Sequence, residues 1–187
     1  KAVARFRGTQ CLEVSRTTDA MNLGSDYTIA YIARGVAGTL LSKGAGGKAG
    51  QFSLLSDSCF LTNGEVNLQS NGRLAAAADD PAQFRVRTIA ADASGLTWFV
   101  DGTASGSYAD DRHEIQNERT LRIGSAWFRS GQENAAEFFV GDLAELLVYS
   151  RALPEDERQR VEAYLREKWL AGDTPPAPLD LVAPTPA

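Results

Sequence analysis

The chain has 187 residues, of which 43% are hydrophobic and 23% are charged. This composition is typical of a globular domain and excludes a disordered, collagen-like or disulfide-dense chain. With 19 Lys and Arg against 24 Asp and Glu, the formal net charge is −5, which disfavours nucleic acid because phosphate binding requires a basic face. No run approaches the roughly 20 apolar residues of a membrane span, so membrane insertion is not expected.

The cysteine and histidine content restricts metal chemistry. The two cysteines, Cys11 and Cys59, and the single histidine, His113, are far apart in the sequence. A structural zinc site takes about four such ligands at close spacing, so zinc is excluded. A disulfide between Cys11 and Cys59 is expected if the protein is exported, and two buried free thiols are the alternative.

The first predicted strands have clear turn residues between them. Tyr27–Ala33 is rich in β-branched and aromatic residues, which favours a strand. Leu61–Ala77 contains Asn63-Gly64 and Asn71-Gly72, and Asn-Gly is typical of type I′ hairpin turns. Because apolar and polar residues alternate between the two pairs, this segment predicts a three-stranded meander.

Further short strands follow along the chain. They are predicted at Phe84–Ala90, Leu96–Val100, Leu121–Gly124 and Phe138–Tyr149, the last with a break at Gly141-Asp142. Short strands separated by closely spaced turn residues indicate a β-sandwich or barrel rather than βαβ units.

One amphipathic helix is predicted near the C-terminus. Pro154 suits the first helical position, and the acidic residues 155–157 place negative charge at the positive end of the helix dipole. Apolar residues then recur at three- and four-residue spacing as far as Trp169, and Gly172 ends the helix. We expect this helix to pack across a sheet.

The last segment, Asp173–Ala187, is rich in proline and has no periodicity. It predicts an extended linker or tail after a domain at residues 1–172. Since the chain also starts at Lys1 without an initiator Met or signal peptide, we expect a piece cut from a longer, multidomain protein.

Four segments carry motifs in a recognisable order: Ala4–Val14, Leu41–Gly44, Leu96–Gly102 and Phe138–Trp169. Together they resemble bacterial laminin G-like jelly-roll domains of the concanavalin A-like lectin and glucanase superfamily. The resemblance implies an all-β fold, a two-sheet antiparallel jelly-roll sandwich with the C-terminal helix against its edge. Lectins, carbohydrate-binding modules, adhesion modules and polysaccharide-cleaving enzymes share that fold, so the fold alone does not decide the function.

The sequence offers little support for catalysis. Glycoside hydrolysis needs two carboxylates across the sugar bond, yet Glu133 and Glu137 are single acids at the ends of one short run and Glu145 lies among apolar residues. Tyr108 and His113 share one acidic loop, but no strand carries the Arg or Gln motif of a lyase. We therefore expect a non-catalytic module.

Aromatic residues suggest sugar binding, because the C–H faces of sugars stack on exposed rings. In one predicted strand, alternation puts Trp98 and Phe99 on opposite faces, so one ring is exposed unless a loop or the helix covers it. Trp127 and Phe128 follow a strand end in a polar loop, where binding sites concentrate. We expect ligand contact at Trp127, Phe128, Phe99 and Tyr108, with local packing as the alternative.

Acidic loop residues raise the question of calcium, which takes about six to eight oxygen ligands. The candidate ligands are Asp110, Asp111 and Asp142, and solvated surface acids are the alternative. Calcium-binding domains exist in the family that the chain resembles, but its early segment usually carries acidic residues where this chain has Arg7 and neighbouring polar residues. No cofactor is expected to be required, and a structural calcium ion stays an open alternative.

The sequence thus predicts a glycan-recognition or adhesion module of a secreted or cell-surface protein, monomeric within its longer chain. The expected partner is a polysaccharide or glycan, or another protein domain. A structural spacer or protein-docking module without sugar binding is the first alternative. A polysaccharide-cleaving enzyme of the same superfamily is the second.

Overall fold

The computed structural model describes residues 1–14, 22–44, 51–55, 58–62, 74–75, 80, 82–109, 114–115, 120–127, 135–172 and 177–180. These residues form two packed sheets and one C-terminal helix. The predicted all-β sandwich is therefore confirmed.

The larger sheet has seven strands. In spatial order they are β10 (Thr103–Tyr108), β9 (Gly95–Val100), β8 (Arg85–Asp92), β3 (Tyr27–Ala37), β14 (Val140–Tyr149), β1 (Ala2–Arg7) and β15 (Ala177–Asp180). All neighbours pair antiparallel except β1 and β15, which are parallel.

The smaller sheet has six strands. In spatial order they are β2 (Leu12–Glu13), β11 (Leu121–Ile123), β4 (Thr39–Lys43), β5 (Gln51–Leu55), β6 (Ser58–Thr62) and β7 (Leu74–Ala75). A separate ribbon pairs β12 (Ala126–Trp127) with β13 (Ala135–Ala136). The N-terminal segment therefore contributes to both sheets, through β1 in one and β2 in the other.

The main core lies between the sheets because the inward positions of both are apolar. Ile29, Ile89 and Trp98 face inward from the larger sheet, and Leu41 and Phe52 face inward from the smaller one. All five are 0% exposed, and burial of each such side chain stabilises the fold by about 1.5–3 kcal/mol. Trp98 is therefore a core residue and not a surface platform.

Helix α1 (Glu155–Trp169) packs on the outer face of the larger sheet, over β3 and β8. Leu165 is fully buried there with Ala30, Ile32 and Val86, which confirms the predicted packing across a sheet. The helix begins one residue later than predicted, since Pro154 takes the capping position. In the part of the chain that the structure describes, no helical segment has both the length and the apolar character needed to cross a bilayer.

Two details of the predicted strand pattern are wrong. Strands β6 and β7 pair directly with each other, through Ser58 with Ala75 and Cys59 with Leu74, so they cannot be the outer strands of a meander. The two Asn-Gly turns lie outside the described residues. Strand β14 runs without a break through Gly141, and a shift of its register against β3 at this point replaces the expected interruption.

The predicted linker also needs a correction. Residues 177–180 of the proline-rich segment form β15 and extend the larger sheet beside β1. The physical reason is that the edge of β1 presents unpaired backbone groups, which an extended segment can satisfy even when it is rich in proline. The rest of residues 173–187 lies outside the described part of the chain.

Candidate functional site

Three charged residues form one row across adjacent strands of the larger sheet. Arg5 in β1 lies opposite Asp142 in β14, and Asp142 lies opposite Arg34 in β3. Because Phe6 and Leu143 face the core, the alternation of side chains puts the charged row on the outer face. This is the face that carries α1.

The row is tied together by charge-assisted hydrogen bonds. Arg5 donates from Nε to Oδ1 of Asp142 at 2.8 Å and from Nη2 to Oδ2 at 3.1 Å. Arg34 donates from Nε to Oδ2 at 2.9 Å, and its Nη2 lies 2.8 Å from the same oxygen. Both carboxylate oxygens of Asp142 are thus engaged by guanidinium groups.

Burial differs sharply within this row. The Asp142 side chain is 4% exposed, whereas those of Arg5 and Arg34 are 31% and 37% exposed. Burial opposes ionisation of Asp142, but the hydrogen bonds and positive charges of Arg5 and Arg34 outweigh it and hold the pKa of Asp142 below its ordinary value. The negative charge lies beneath the surface while the two cations stay partly open to solvent.

The row borders an open cavity of about 600 Å³. Its cationic walls are Arg5, Arg7 and Arg34, and Ala82 and Val140 complete the rim with small or apolar side chains. This volume falls within the range of small-molecule sites. The cavity can therefore hold a ligand of sugar size against a cationic wall.

Two glycines let the strands approach closely at the cavity floor. Gly35 and Gly141 are register partners, and both line the cavity. A Cβ on Gly141 would lie 2.2 Å from the backbone oxygen of Arg34, and a Cβ on Gly35 would lie 2.3 Å from the Phe139 ring. A larger residue at either glycine would push β3 and β14 apart at the point where Arg34 bonds to Asp142.

The structure places two of the predicted site residues in packed positions. Phe99 is partly buried, and the guanidinium carbon of Arg158 from α1 lies 3.7 Å from its ring centroid. The helix therefore covers the ring face that a sugar would need. Tyr108 at the end of β10 is also partly buried, and it packs against the main core.

The other predicted ligand contacts lie largely outside the described residues. The backbone of Trp127 forms β12 and pairs with Ala135, but its side chain is outside the described part. Phe128, Asp110 and Asp111 are outside it altogether. Contact of the Trp127 and Phe128 loop with a ligand stays a prediction.

The calcium expectation fails at Asp142. Both of its oxygens accept hydrogen bonds from arginine, and the two guanidinium charges beside the carboxylate would repel a calcium ion. Among the residues that the structure describes, no group of three or more His, Cys, Asp or Glu side chains could hold a metal ion. A calcium site at Asp110 and Asp111 remains untested.

The predicted disulfide is also corrected. Cys11 is a free thiol in this structure, next to β2 at one edge of the smaller sheet, and Cys59 is in β6. Three strands separate β2 from β6, which corresponds to roughly 19 Å at ~4.8 Å per strand. Bridged cysteines have Cα atoms within about 7 Å, so this strand order is incompatible with the bridge.

Glu145 links the end of α1 to the larger sheet. It accepts hydrogen bonds from Tyr164 at 3.0 Å and from the indole of Trp169, and Lys168 lies 2.9 Å away. Burial opposes its ionisation, but the hydrogen bonds from Trp169, Lys168 and Tyr164 lower the pKa of Glu145. These contacts fasten the end of α1 to β14.

The arginine row was missed in the sequence, although part of it was visible. Arg5 and Arg7 flank Phe6 in a run of alternating residues, which predicts two cations on the face opposite a buried ring. Arg34 and Asp142 are 108 residues apart, and no local pattern indicates that they meet.

The fold is shared with carbohydrate-binding domains of known structure. The CBM40 module of the Ruminococcus gnavus IT-sialidase, bound to α2,3-sialyllactose, matches with a TM-score of 0.65 and 17% identity over 87% of this chain and 97% of its own. Domain 4 of AbnA, an extracellular arabinanase from Geobacillus stearothermophilus in complex with arabinotriose, matches with a TM-score of 0.62 and 12% identity over 86% of this chain and 76% of that domain. The chain has the jelly-roll fold of these domains.

Other matches are to parts of larger proteins. The NanB sialidase from Streptococcus pneumoniae matches with a TM-score of 0.60 and 15% identity over 84% of this chain, which spans only 27% of the sialidase chain. A scan against protein-family models and a search of curated proteins find no match. At these identities the likeness concerns the fold alone.

Proposed function

We propose that this chain is a non-catalytic glycan-recognition module of a secreted or cell-surface protein, and that it binds its glycan in the cavity beside Arg5 and Arg34. The observation that carries the proposal is the cavity of about 600 Å³ with its cationic wall. It provides the concave surface with a few placed polar groups that small ligands require.

Two further observations support this reading. The structural neighbours include modules whose complexes contain sialyllactose and arabinotriose. In addition, Asp142 is the one carboxylate among the described residues that line the cavity, and both of its oxygens are engaged by arginine. Glycoside hydrolysis requires two carboxylates across the bond, so this lining is suited to holding a sugar and not to cleaving one.

The direct test is binding of the purified chain to a broad panel of polysaccharides and oligosaccharides. The cavity can be filled by Ala82→Trp, because Ala82 is exposed at its rim. Ala163 is exposed on α1, so Ala163→Trp adds the same bulk elsewhere and serves as the matched control. We expect Ala82→Trp to abolish binding that Ala163→Trp leaves intact.

The same panel tests the earlier loop hypothesis and the calcium alternative. Ala substitutions at Trp127 and Phe128 should weaken binding only if that loop contributes to the site. Binding measured with calcium and with a chelator reports whether an ion is needed. If the folded chain binds no glycan at all, the proposal is wrong and a spacer or protein-docking role replaces it.

A further inference from the structure

We infer that the cavity selects glycans that carry a carboxylate, which the guanidinium groups of Arg5 and Arg34 hold; this inference rests on the proposed glycan-recognition function. The chemical class is an acidic sugar, either a sialic acid or a uronic acid. Both present a planar carboxylate on a pyranose ring, and the experiment below separates the two sources.

The two arginines are held in place before a ligand arrives. The buried carboxylate of Asp142 accepts a hydrogen bond from Nε of each arginine. The Arg34 guanidinium carbon also lies 4.7 Å from the ring centroid of Phe84. Both side chains line the cavity and keep 31% and 37% of their surface exposed. Fixing the side chains in advance lowers the entropy lost on binding, so more of the interaction appears as affinity.

The local charge favours an anion even though the whole chain is acidic. The chain carries a formal net charge of −5, yet the described residues that line the cavity include three cations, Arg5, Arg7 and Arg34, and one carboxylate, that of Asp142. Asp142 is buried, so a ligand meets the cations first. A concave surface with an excess of one charge concentrates ligands of the opposite charge.

Two other acids lie close to this row. The carboxylate of Asp80 accepts hydrogen bonds from the backbone of Ala82 at 3.0 Å and from Gln83 at 2.9 Å, within its own loop. Asp180 is the register partner of Arg5 in β15, so the tail adds an acidic position to the end of the row.

Carboxylate geometry explains the expected selectivity over neutral sugars. A guanidinium presents parallel N–H donors that match two carboxylate oxygens, and such charge-assisted bonds are about twice as strong as neutral ones. A neutral sugar would desolvate Arg5 and Arg34 without supplying a countercharge. The cavity should therefore discriminate by charge as well as by shape.

The first arm of the experiment compares matched ligands by titration calorimetry. Sialyllactose is compared with lactose, and an oligogalacturonate is compared with its methyl ester. We expect one acidic member to bind at least about tenfold more tightly than its neutral partner. The pair that shows the difference identifies the acidic sugar as a sialic acid or a uronic acid. The affinity for that acidic ligand should fall as the salt concentration is raised.

The second arm uses matched substitutions in the whole chain. Arg34→Gln should weaken the acidic ligand by about tenfold or more. Arg160 is an exposed arginine on α1 whose Nη2 lies 3.0 Å from Asp156, so Arg160→Gln is the control and should change nothing. Arg34→Lys keeps a cation beside Asp142 but loses the parallel N–H donors, so it should also weaken binding of the acidic ligand, which keeps the inference testable even if Arg34→Gln fails to fold.

The two proposals fail in different ways. If neutral and acidic ligands bind equally well and Ala82→Trp abolishes both, glycan recognition stands and selection by charge is wrong. If acidic ligands bind but Arg34→Gln and Arg34→Lys both leave their affinity unchanged, the carboxylate is not held by this row. If nothing in either pair or in the wider panel binds, both proposals are wrong.

Discussion

At the scale of single residues, Asp142 is the centre of the arginine row. Its carboxylate is buried and bonded by Arg5 and Arg34, which are 137 and 108 residues away from it in sequence. A buried carboxylate with two guanidinium partners both stabilises the strand pairing and holds the cations in position. In the proposed site it is a positioning residue.

The lowered pKa of Asp142 predicts a pH-dependent contribution to stability. A carboxyl group with a depressed folded pKa stabilises the fold above its unfolded pKa of about 4 and loses that contribution as the pH falls through the folded value. We expect Asp142→Asn to lower the free energy of unfolding by about 1–3 kcal/mol at pH 7, a modest range because both arginines are partly solvated. The loss should be much smaller at pH 2, where the carboxyl group contributes less to stability. Urea unfolding between pH 2 and pH 7 checks this, and an equal loss at both ends would contradict it.

A second prediction concerns the close approach of β3 and β14. Gly141→Ala should destabilise the protein by about 1–3 kcal/mol or more, because its Cβ would lie 2.2 Å from the Arg34 oxygen. Gly24→Ala is the matched control, since nothing lies within 4 Å of a Cβ at Gly24, and it should change stability by less than about 0.5 kcal/mol. Thermal unfolding of the two variants measures the difference, and equal midpoints would refute the close-approach argument.

At the scale of elements, α1 divides the outer face of the larger sheet into two regions. Its apolar contacts with β3 and β8 cover one region, and its first turns cover Phe99 through Arg158. The arginine row lies beyond the helix, with Phe84 in contact with both the helix cluster and Arg34. The helix therefore decides which part of the sheet is open to a ligand.

The packing of α1 predicts a large effect at one position. Leu165 is fully buried, and Leu165→Ala should cost about 2–5 kcal/mol of unfolding free energy through lost burial and the cavity left behind. Glu167, which is exposed on the same helix, supplies the control Glu167→Ala. Chemical denaturation should give a clearly lower midpoint for Leu165→Ala than for Glu167→Ala. Similar midpoints would mean that the packing of the helix contributes little to the stability of the fold.

At the scale of the whole molecule, the C-terminal tail is part of the larger sheet. Strand β15 covers the edge of β1, which otherwise would present unpaired backbone groups. A chain that ends at Gly172 should therefore melt several degrees lower than the full chain. A chain that ends at Asp180 keeps β15 and should melt above the chain that ends at Gly172; calorimetry compares them, and equal midpoints would remove β15 from the stable fold.

The strand order also predicts the redox state of the cysteines. Because Cys11 and Cys59 belong to opposite parts of the smaller sheet, both should be free thiols. Thiol titration under denaturing, non-reducing conditions should therefore count two per chain. A count of zero would restore the bridge and require a different strand order.

The class of fold could be predicted from the sequence because its signs are local. The β-branched and aromatic residues of Tyr27–Ala33 and the apolar spacing of the helix before Trp169 are each properties of neighbouring residues. The side of the sheet that Trp98 and Phe99 face was not decided locally, because both rings are apolar. It follows from the position of α1, which buries one face of β9 as the second sheet buries the other.

By itself, the sequence determined an all-β sandwich or barrel, the helix and the acidic charge balance, since periodicity and composition are properties of short segments, and the family resemblance narrowed the fold to a two-sheet sandwich. Only the tertiary structure decided the candidate site. Arg5, Arg34 and Asp142 come from three distant segments, and they meet because β1, β14 and β3 are neighbours in one register. Strand order and register arise from long-range pairing, so a site built across strands becomes visible only once the sheet has formed.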